Sequence, residues 1–346
     1  MRVMAPRQLL LLLCLLLPLA LFAGLSLGAV SIPFSDVLAA LFSALSGSSE
    51  AGRDAIIVLS IRLPRVLLAA LVGICLAVCG CAMQGLFRNP LADPSLIGVS
   101  SGASAGASLV IVFGGGALVQ GSQVLGLTSV AAGAFVGGFV AVLLVYRLAT
   151  SSSGTSVATM LLAGIAISAL AGALNSLFSY IADDEMLRRI SLWQMGSLDA
   201  ANWPRVWISA TAAGLLLVLL RRDAAALNAF LLGESEAWHL GVPVERVKKR
   251  LILLTAMAVG TSVAVAGTIA FVGLIIPHIV RMLIGPDHRY LIPAAALAGA
   301  VLLIGADSVA RVIVAPAELP TGILTALLGA PFFFSLLARR RGMGVV

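Results

Sequence analysis

The feature that most constrains this chain is a run without charged residues that extends over residues 251–280. One straight helix needs only about 20 apolar residues to cross a bilayer, so the run is too long for a single span. Gly267, Gly273 and Pro277 interrupt it, and both residue types weaken a continuous helix. We therefore interpret the run as two short spans with a break between them.

The composition indicates a polytopic membrane protein. Hydrophobic residues make up 60% of the 346 residues and charged residues only 11%, against roughly 25% charged in soluble domains. The mean hydropathy of +1.10 excludes a large water-soluble domain. The net charge of +7 is spread over short clusters between apolar runs, which is typical of cytoplasmic loops beside lipid headgroups and does not favour a nucleic-acid partner.

The hydropathy pattern predicts an all-α fold with ten transmembrane helices in one domain, 1–346. The predicted spans are 8–28, 63–83, 95–114, 124–146, 157–181, 204–220, 250–268, 271–283, 290–308 and 320–338. The first resembles a secretory signal, but its apolar stretch is long and more spans follow. We interpret it as a retained helix.

An even number of spans places both basic ends of the chain, Arg2 with Arg7 and 339–341, on one side of the membrane. The positive-inside rule makes that side the cytoplasm. Fifteen of the 22 Lys and Arg residues then lie inside. The remaining seven are Arg53, Arg62, Arg65, Arg188, Arg189, Arg205 and Arg311.

The chain lacks the motifs of several chemical classes. No GxxxxGK[ST] motif occurs, so ATP is not bound by a Walker motif, and no HExxH motif predicts a metalloprotease. Cys14, Cys75, Cys79 and Cys81 all lie in apolar runs and indicate neither a disulfide framework nor a metal site. All three histidines are predicted on the cytoplasmic side. We expect no catalytic residues, no cofactor and no metal.

Several different short motifs follow one another along nearly the whole chain. They are Arg62-Leu63-Pro64-Arg65, 84–94 (QGLFRNPLADP), 97–103 (IGVSSGA), 273–281 (GLIIPHIVR), 306–311 (ADSVAR), 318–322 (ELPTG) and 328–332 (LGAPF). This series resembles the FecCD-type permease family, the membrane subunits of ABC importers for iron-siderophores, haem and cobalamin. The resemblance implies a fold like the cobalamin importer permease and a homodimer in the bacterial inner membrane. It also implies two cytoplasmic ATPase subunits and a periplasmic substrate-binding protein.

The largest cytoplasmic segment, 227–250, consists of two short amphipathic pieces around a Gly-Val-Pro turn. Its glutamates are costly to bury in lipid, so the segment belongs in water or against a soluble partner. The resemblance implies coupling helices that rest on the ATPase. The residues that match are Gly233, Glu234, Ala237, Leu240 and Gly241. An ordinary solvated loop is the alternative interpretation.

Arg62, Arg65 and Arg311 are predicted outside, near helix ends. In one interpretation they extend to the lipid headgroups. The resemblance implies instead that they receive glutamates of the binding protein, since guanidinium and carboxylate groups pair in a bidentate way. Asp307 lies one turn before Arg311, so we also expect an intrahelical pair between them.

The outside loop 183–198 carries the substrate hypothesis. It resembles the haem branch of the family, and Arg188 or Arg189 near the mouth would meet the propionates of haem. Asn175 is a weaker path-lining candidate, with helix–helix hydrogen bonding as the alternative. The acids 183–185 would repel propionates, so a solvated loop stays equally open.

Two alternatives for the function stay open. The same importer can serve a ferric siderophore or cobalamin. An ion-coupled secondary transporter is a different class, which needs charged groups in broken helices at the membrane centre. Asp307 is the one acid within the predicted spans, and it lies near an end.

Overall fold

The computed structural model describes residues 3–28, 30–46, 52–119, 123–152 and 154–342. Within these ranges the protein is almost entirely helical. The helices are α1 (Pro6–Ser26), α2 (Phe34–Ser46), α3 (Arg53–Ile56), α4 (Leu63–Leu86), α5 (Val99–Val119), α6 (Gln123–Ala149), α7 (Val157–Ile181), α8 (Asp184–Met195), α9 (Trp203–Phe230), α10 (Glu234–His239), α11 (Val244–Ala266), α12 (Val272–Ile284), α13 (His288–Ala310) and α14 (Thr321–Gly342). A short hairpin pairs β1 (Thr150–Ser151) with β2 (Gly154–Thr155) in antiparallel register.

Each of the ten predicted spans coincides with a helix, so the prediction of an all-α polytopic membrane protein is confirmed. By length and composition, seven helices of the described chain can cross a membrane alone, and α12 is among the shorter apolar ones. Its 13 residues extend only about 20 Å, less than the roughly 30 Å hydrocarbon core. Helices α3 and α4 are joined by a π-helical turn, Ile57–Arg62, into one long helix.

The long uncharged run is broken where α11 ends at Ala266 and α12 begins at Val272, as predicted. Gly267 and Phe271, on either side of the break, both have positive φ angles, 68° and 69°. The Phe271 ring packs directly on Gly329 of α14, where an added Cβ would lie 2.3 Å from Cγ of the ring. Gly273 does not break the helix, because it lies inside α12.

Glycine residues bring several helices into close contact. A Cβ added to Gly106 of α5 would lie 2.2 Å from the carbonyl oxygen of Gly133 in α6. A Cβ on Gly80 of α4 would lie 1.9 Å from the carbonyl oxygen of Gly273 in α12. These backbones therefore touch directly, which is how helices gain packing energy in lipid.

Besides α10, three helices of the described chain, α2, α3 and α8, lie outside the predicted spans. The segment predicted as an outside loop, 183–198, is largely the helix α8, because the Asp183 carboxylate caps its first turn by accepting from the Met186 amide at 2.8 Å. The sequence analysis also missed α2. Its side chains divide between a buried face, with Val37, and an exposed apolar stripe, with Phe34 and Phe42.

The helix ends meet at two opposite ends of the bundle. At the α8 end, the Ser197 amide donates to the Ala266 carbonyl at 2.8 Å, which joins the segment after α8 to the α11–α12 break. At the α10 end, the Asn228 side chain of α9 contacts Asp287 before α13. The hairpin and the starts of α11 and α13 lie at this α10 end.

Candidate functional site

The α10 end carries an exposed apolar patch next to charged side chains. Leu232, Trp238 and Leu240 are each about two-thirds exposed. Exposed apolar patches are typical of sites that contact another protein or a membrane. The site predicted from the sequence is therefore exposed where a soluble partner can reach it.

Glycines bracket α10 on both sides. Gly233 caps its start with a φ of 128°, and Gly241 follows its end with a φ of 80°. Both angles lie where residues with a Cβ are strained, so glycine is required for the turns into and out of α10. A Cβ built on Gly241 meets nothing within 4 Å, so Gly241 lies on an open surface.

Ala237, one of the residues that match the coupling helices, lies on the inner face of α10. Its methyl group is fully buried and does not lie on the exposed surface. The physical reason is packing: α10 lies against α9 and α11, and only a small side chain on the inner face lets it approach them. Glu234 lies on the partly exposed side of the same helix.

Lys248, at the start of α11, is a residue that the sequence analysis treated only as a cytoplasmic charge. It is 2% exposed, and its ammonium donates to the Thr155 carbonyl at 2.7 Å and to Glu245 Oε1 at 3.1 Å. It also forms an ion pair with Glu234 of α10. The spacing of Glu245 and Lys248 is compatible with a helical pair, but nothing in the sequence indicates the contact with Thr155.

The rest of the α10 end is fixed by polar pairs between helices. Arg250 pairs with the buried Asp223 of α9. Asp287 accepts from the Asn228 side chain at 2.7 Å and from the Arg289 amide at 3.0 Å. Burial opposes ionisation of Asp287, but these hydrogen bonds outweigh it and lower the pKa of its carboxyl group.

At the α8 end, Arg65 and Arg311 are buried around Asp307 rather than exposed. Arg65 donates from Nε and Nη2 to the Asp307 carboxylate at 3.0–3.1 Å. Arg311 Nε lies 3.1 Å from Asp307 Oδ2, which confirms the intrahelical pair expected from the sequence. Arg65 also donates to Glu318 at 2.6 Å, and Thr321 donates to Asp307 at 3.1 Å.

Arg62 and Arg311 cap the end of α1. Arg62 donates to the carbonyls of Leu25 and Ser26 at 2.7 and 2.8 Å, and Arg311 donates to the Gly24 carbonyl at 2.9 Å. The last carbonyls of a helix have no partner within the helix and attract cations. Arg62, Arg65 and Arg311 are at most 6% exposed, so they do not extend to the lipid headgroups, whereas their docking role stays a prediction.

The predicted path residues Arg188, Arg189 and Asn175 have three different environments. Arg188 is exposed on α8, whereas Arg189 is half-buried and lines an open cavity of about 280 Å³ together with Trp193. In a single copy of the chain this cavity is open to the surface. Asn175 of α7 donates to Ser104 of α5 at 2.6 Å, which is the helix–helix hydrogen bond of the alternative interpretation.

Comparison with known proteins places these features in a family. The FecCD transport family matches residues 14–339. The chain is 45% identical over 338 residues to the hemin transport system permease protein HmuU of Yersinia pestis, with 97% of each chain covered. It is 42% identical over 285 residues to the cobalamin import system permease protein BtuC of Halobacterium salinarum, with 82% of this chain and 74% of that protein covered.

Solved structures agree. An inward-facing structure described as a metal-chelate type ABC transporter aligns with a TM-score of 0.82 and 35% identity, with 96% of this chain and 99% of that chain covered. PsaBC from Streptococcus pneumoniae, solved with a Fab, aligns with a TM-score of 0.55 at 21% identity, which shows a shared fold alone. The chain therefore belongs to the FecCD transport family of ABC importer permeases, transport subunits whose ATPase is a separate chain.

Proposed function

We propose that this permease moves haem from the periplasm to the cytoplasm, driven by ATP hydrolysis in a separate subunit. The observation that carries the choice of haem is the 45% identity to a hemin permease over 97% of both chains. The cobalamin permease is similar over a smaller share of the chain. A ferric siderophore or cobalamin is the second candidate cargo, because the family includes both.

The α10 end is the cytoplasmic face in this proposal. The exposed patch of Leu232, Trp238 and Leu240 rests on the ATPase, and Gly233, Glu234 and Gly241 shape that contact. Ala237 contributes indirectly to this contact, because its small buried side chain lets α10 pack against the bundle. The proposed contact surface therefore differs from the predicted set in two ways: Ala237 is excluded, and the exposed Leu232 and Trp238 are added.

We place the substrate path between two copies of the chain. The exposed face of α7 carries small residues, with Ala169, Gly172 and Ala173 adjacent on it, and a Cβ added to Gly172 meets nothing within 4 Å. Such a face lets two helices approach each other closely. The incomplete cavity at Arg189 supports a site that a second copy completes.

The periplasmic binding protein docks on the α8 end in this proposal. Arg62, Arg65 and Arg311 are engaged within the chain, so docking through them requires carboxylates of the partner to replace present contacts. Glu318 is the replaceable contact, since its side chain is 41% exposed and its pairing with Arg65 lies at the surface. Docking is measured for Glu318→Gln, which removes the replaceable contact and keeps the buried Arg65, against Glu185→Gln, an exposed acid at the same end. We expect Glu318→Gln alone to tighten docking, and equal docking of both variants contradicts the role of Arg65.

Transport by the reconstituted complex tests the cargo. The permease, its ATPase and its binding protein are placed in vesicles, and uptake of haemin, a ferric siderophore and cyanocobalamin is measured with and without ATP. We expect ATP-dependent uptake of haemin alone. Preferential uptake of either other cargo rejects haem, and uptake driven by a proton gradient without ATP rejects the importer class.

A further inference from the structure

Lys248 connects three separate segments at the α10 end. An ammonium group has three N–H donors and no acceptor. Lys248 has three acceptors: Glu234 of α10, Glu245 of α11 and the Thr155 carbonyl of the hairpin. Each donor can therefore meet one acceptor, and each acceptor belongs to a different segment.

The hairpin is held by its backbone. The Thr155 amide donates to Glu245 Oε2 at 2.9 Å, while the Thr155 carbonyl accepts from Lys248 at 2.7 Å. The backbone amide and carbonyl of Thr155 are thus both bonded to side chains in the first two turns of α11. Ser156 follows directly and caps α7 by accepting from the Thr159 amide at 3.3 Å. Any displacement of Thr155 is therefore a displacement of the start of α7.

We propose that Lys248 is a positioning residue that passes movement of α10 to the hairpin and so to α7. The inference rests on the proposed function, in which α10 lies on the ATPase. A push on α10 moves Glu234, and the ion pair with Lys248 transmits it to Thr155 over contacts of about 3 Å or less. Small shifts become larger rearrangements when they are carried by packed, hydrogen-bonded contacts.

The burial of Lys248 strengthens this inference. A lysine inside a protein loses its hydration, and it stays charged only if its partners replace that hydration. Removing the ammonium would leave the carboxylates of Glu234 and Glu245 facing each other without a counter-charge. The three segments would then separate, even though the helices themselves remain folded.

The test compares Lys248→Met with Lys249→Met in the reconstituted complex. Lys249 is the matched control, because it is the next residue on the same helix and is exposed. The readout is the amount of cargo moved per ATP hydrolysed. A residue that only supports the fold would lower transport and hydrolysis together and leave this ratio unchanged. We expect Lys248→Met to reduce the ratio by at least about fivefold, the lower range of coupling between sites, and Lys249→Met to keep it.

Two further measurements keep the inference testable. Glu245→Gln weakens the contacts of Lys248 and Thr155 by a change at a half-exposed position. If the Lys248→Met complex fails to assemble, this second variant tests the role of Lys248. Spin labels at the exposed Ser235 and Ser152 report the distance between α10 and the hairpin. We expect this distance to be narrowly distributed in the wild type and broad in both variants.

The outcomes separate the two proposals. A wild-type ratio in Lys248→Met, or in Glu245→Gln where the first variant fails, overturns the role of Lys248. So does an unchanged distance distribution. Absence of ATP-driven uptake by the wild-type complex rejects the proposed function instead, and the spin labels then decide alone whether Lys248 connects the segments.

Discussion

Asp307 holds together the α8 end of the molecule. Its carboxylate accepts from Arg65 of α4 and from Thr321 of α14, and pairs with Arg311 one turn further along α13. The carboxylate is 1% exposed, so its negative charge depends on these partners. Arg311 in turn donates to the Gly24 carbonyl near the end of α1, which makes the cluster a junction of four helices.

We predict that Asp307→Asn lowers the free energy of unfolding by about 3–5 kcal/mol, the usual cost of removing one partner from a buried ion pair. The buried Arg311 would lose its paired carboxylate, and the buried Arg65 would keep only the partly exposed Glu318. Unfolding in mixed detergent measures the change. Asp199→Asn, an exposed acid near the same end, is the control and should shift stability far less. Equal stability of both variants contradicts a structural role for Asp307.

Asp287 gives a second prediction, for pH dependence. Its pKa is lowered in the folded state because the hydrogen bonds from Asn228 and the Arg289 amide outweigh burial. Its stabilising contribution is therefore complete above the ordinary pKa of 3.8 and is lost as the pH falls towards the lower folded-state pKa. We expect the melting temperature of the wild type to fall more steeply than that of Asp287→Asn below about pH 4.

Helix α10 is short, and its position depends on what surrounds it. The glycines at both ends set its direction, Ala237 packs it inward, and Lys248 holds its first turn. Two exposed large side chains, Trp238 and Leu240, face the other way. The element is therefore anchored on one side and open on the other, as a coupling surface requires.

We predict that Gly241→Trp stops transport while the permease still folds and assembles in the membrane. The added ring enters open space and would occupy the ATPase contact. Gly241→Ala separates the effect of backbone strain from the effect of bulk. A Cβ at a φ of 80° costs about 1–2 kcal/mol but adds no large side chain. Transport and ATP hydrolysis are measured for both. Wild-type coupling in the Trp variant places the interface elsewhere.

The whole molecule is a bundle whose two ends differ in chemistry. Lys248, Glu234 and Glu245 lie together at the α10 end. The α8 end carries the buried arginine cluster and the open cavity at Arg189. The start of the chain also lies at the α10 end. There the Val3 amide donates to the carbonyl of Leu283, near the end of α12, at 3.0 Å.

The two ends should face opposite sides of the membrane. In a cysteine-free background, Leu240→Cys should react with an impermeant thiol reagent from the cytoplasmic side and Asp184→Cys from the periplasmic side. Both positions are exposed. Spheroplasts and inverted vesicles supply the two orientations. Labelling of both positions from the same side contradicts the topology.

The cargo prediction also belongs to the assembled molecule. Replacing Arg188 and Arg189 by Ala should slow haem uptake without lowering basal ATP hydrolysis, because the propionates lose their cationic partners. Arg53→Ala, at another exposed arginine of the same end, is the control. Equal uptake by the double variant and the control favours the ferric siderophore as cargo.

Much of the architecture could be predicted because lipid imposes strong rules on sequence. Each span must be a long apolar run whose backbone groups bond within the helix. The predicted bounds of a helix such as α7, 157–181, therefore match those in the structure. The break between α11 and α12 was visible for the same reason, since the run exceeds one span. The family was likewise indicated by the sequence alone, because its motifs follow one another in order along the chain.

The environment of the charged residues was decided only by the tertiary structure. Arg65 lies 242 positions from Asp307, and Lys248 lies 93 positions from Thr155, so no local pattern indicates that these groups meet. A charge near a helix end is compatible with lipid headgroups, a partner protein or a buried ion pair, and sequence spacing does not distinguish them. Folding brings distant acceptors to the charge, and the cost of burying it without them selects the buried pair.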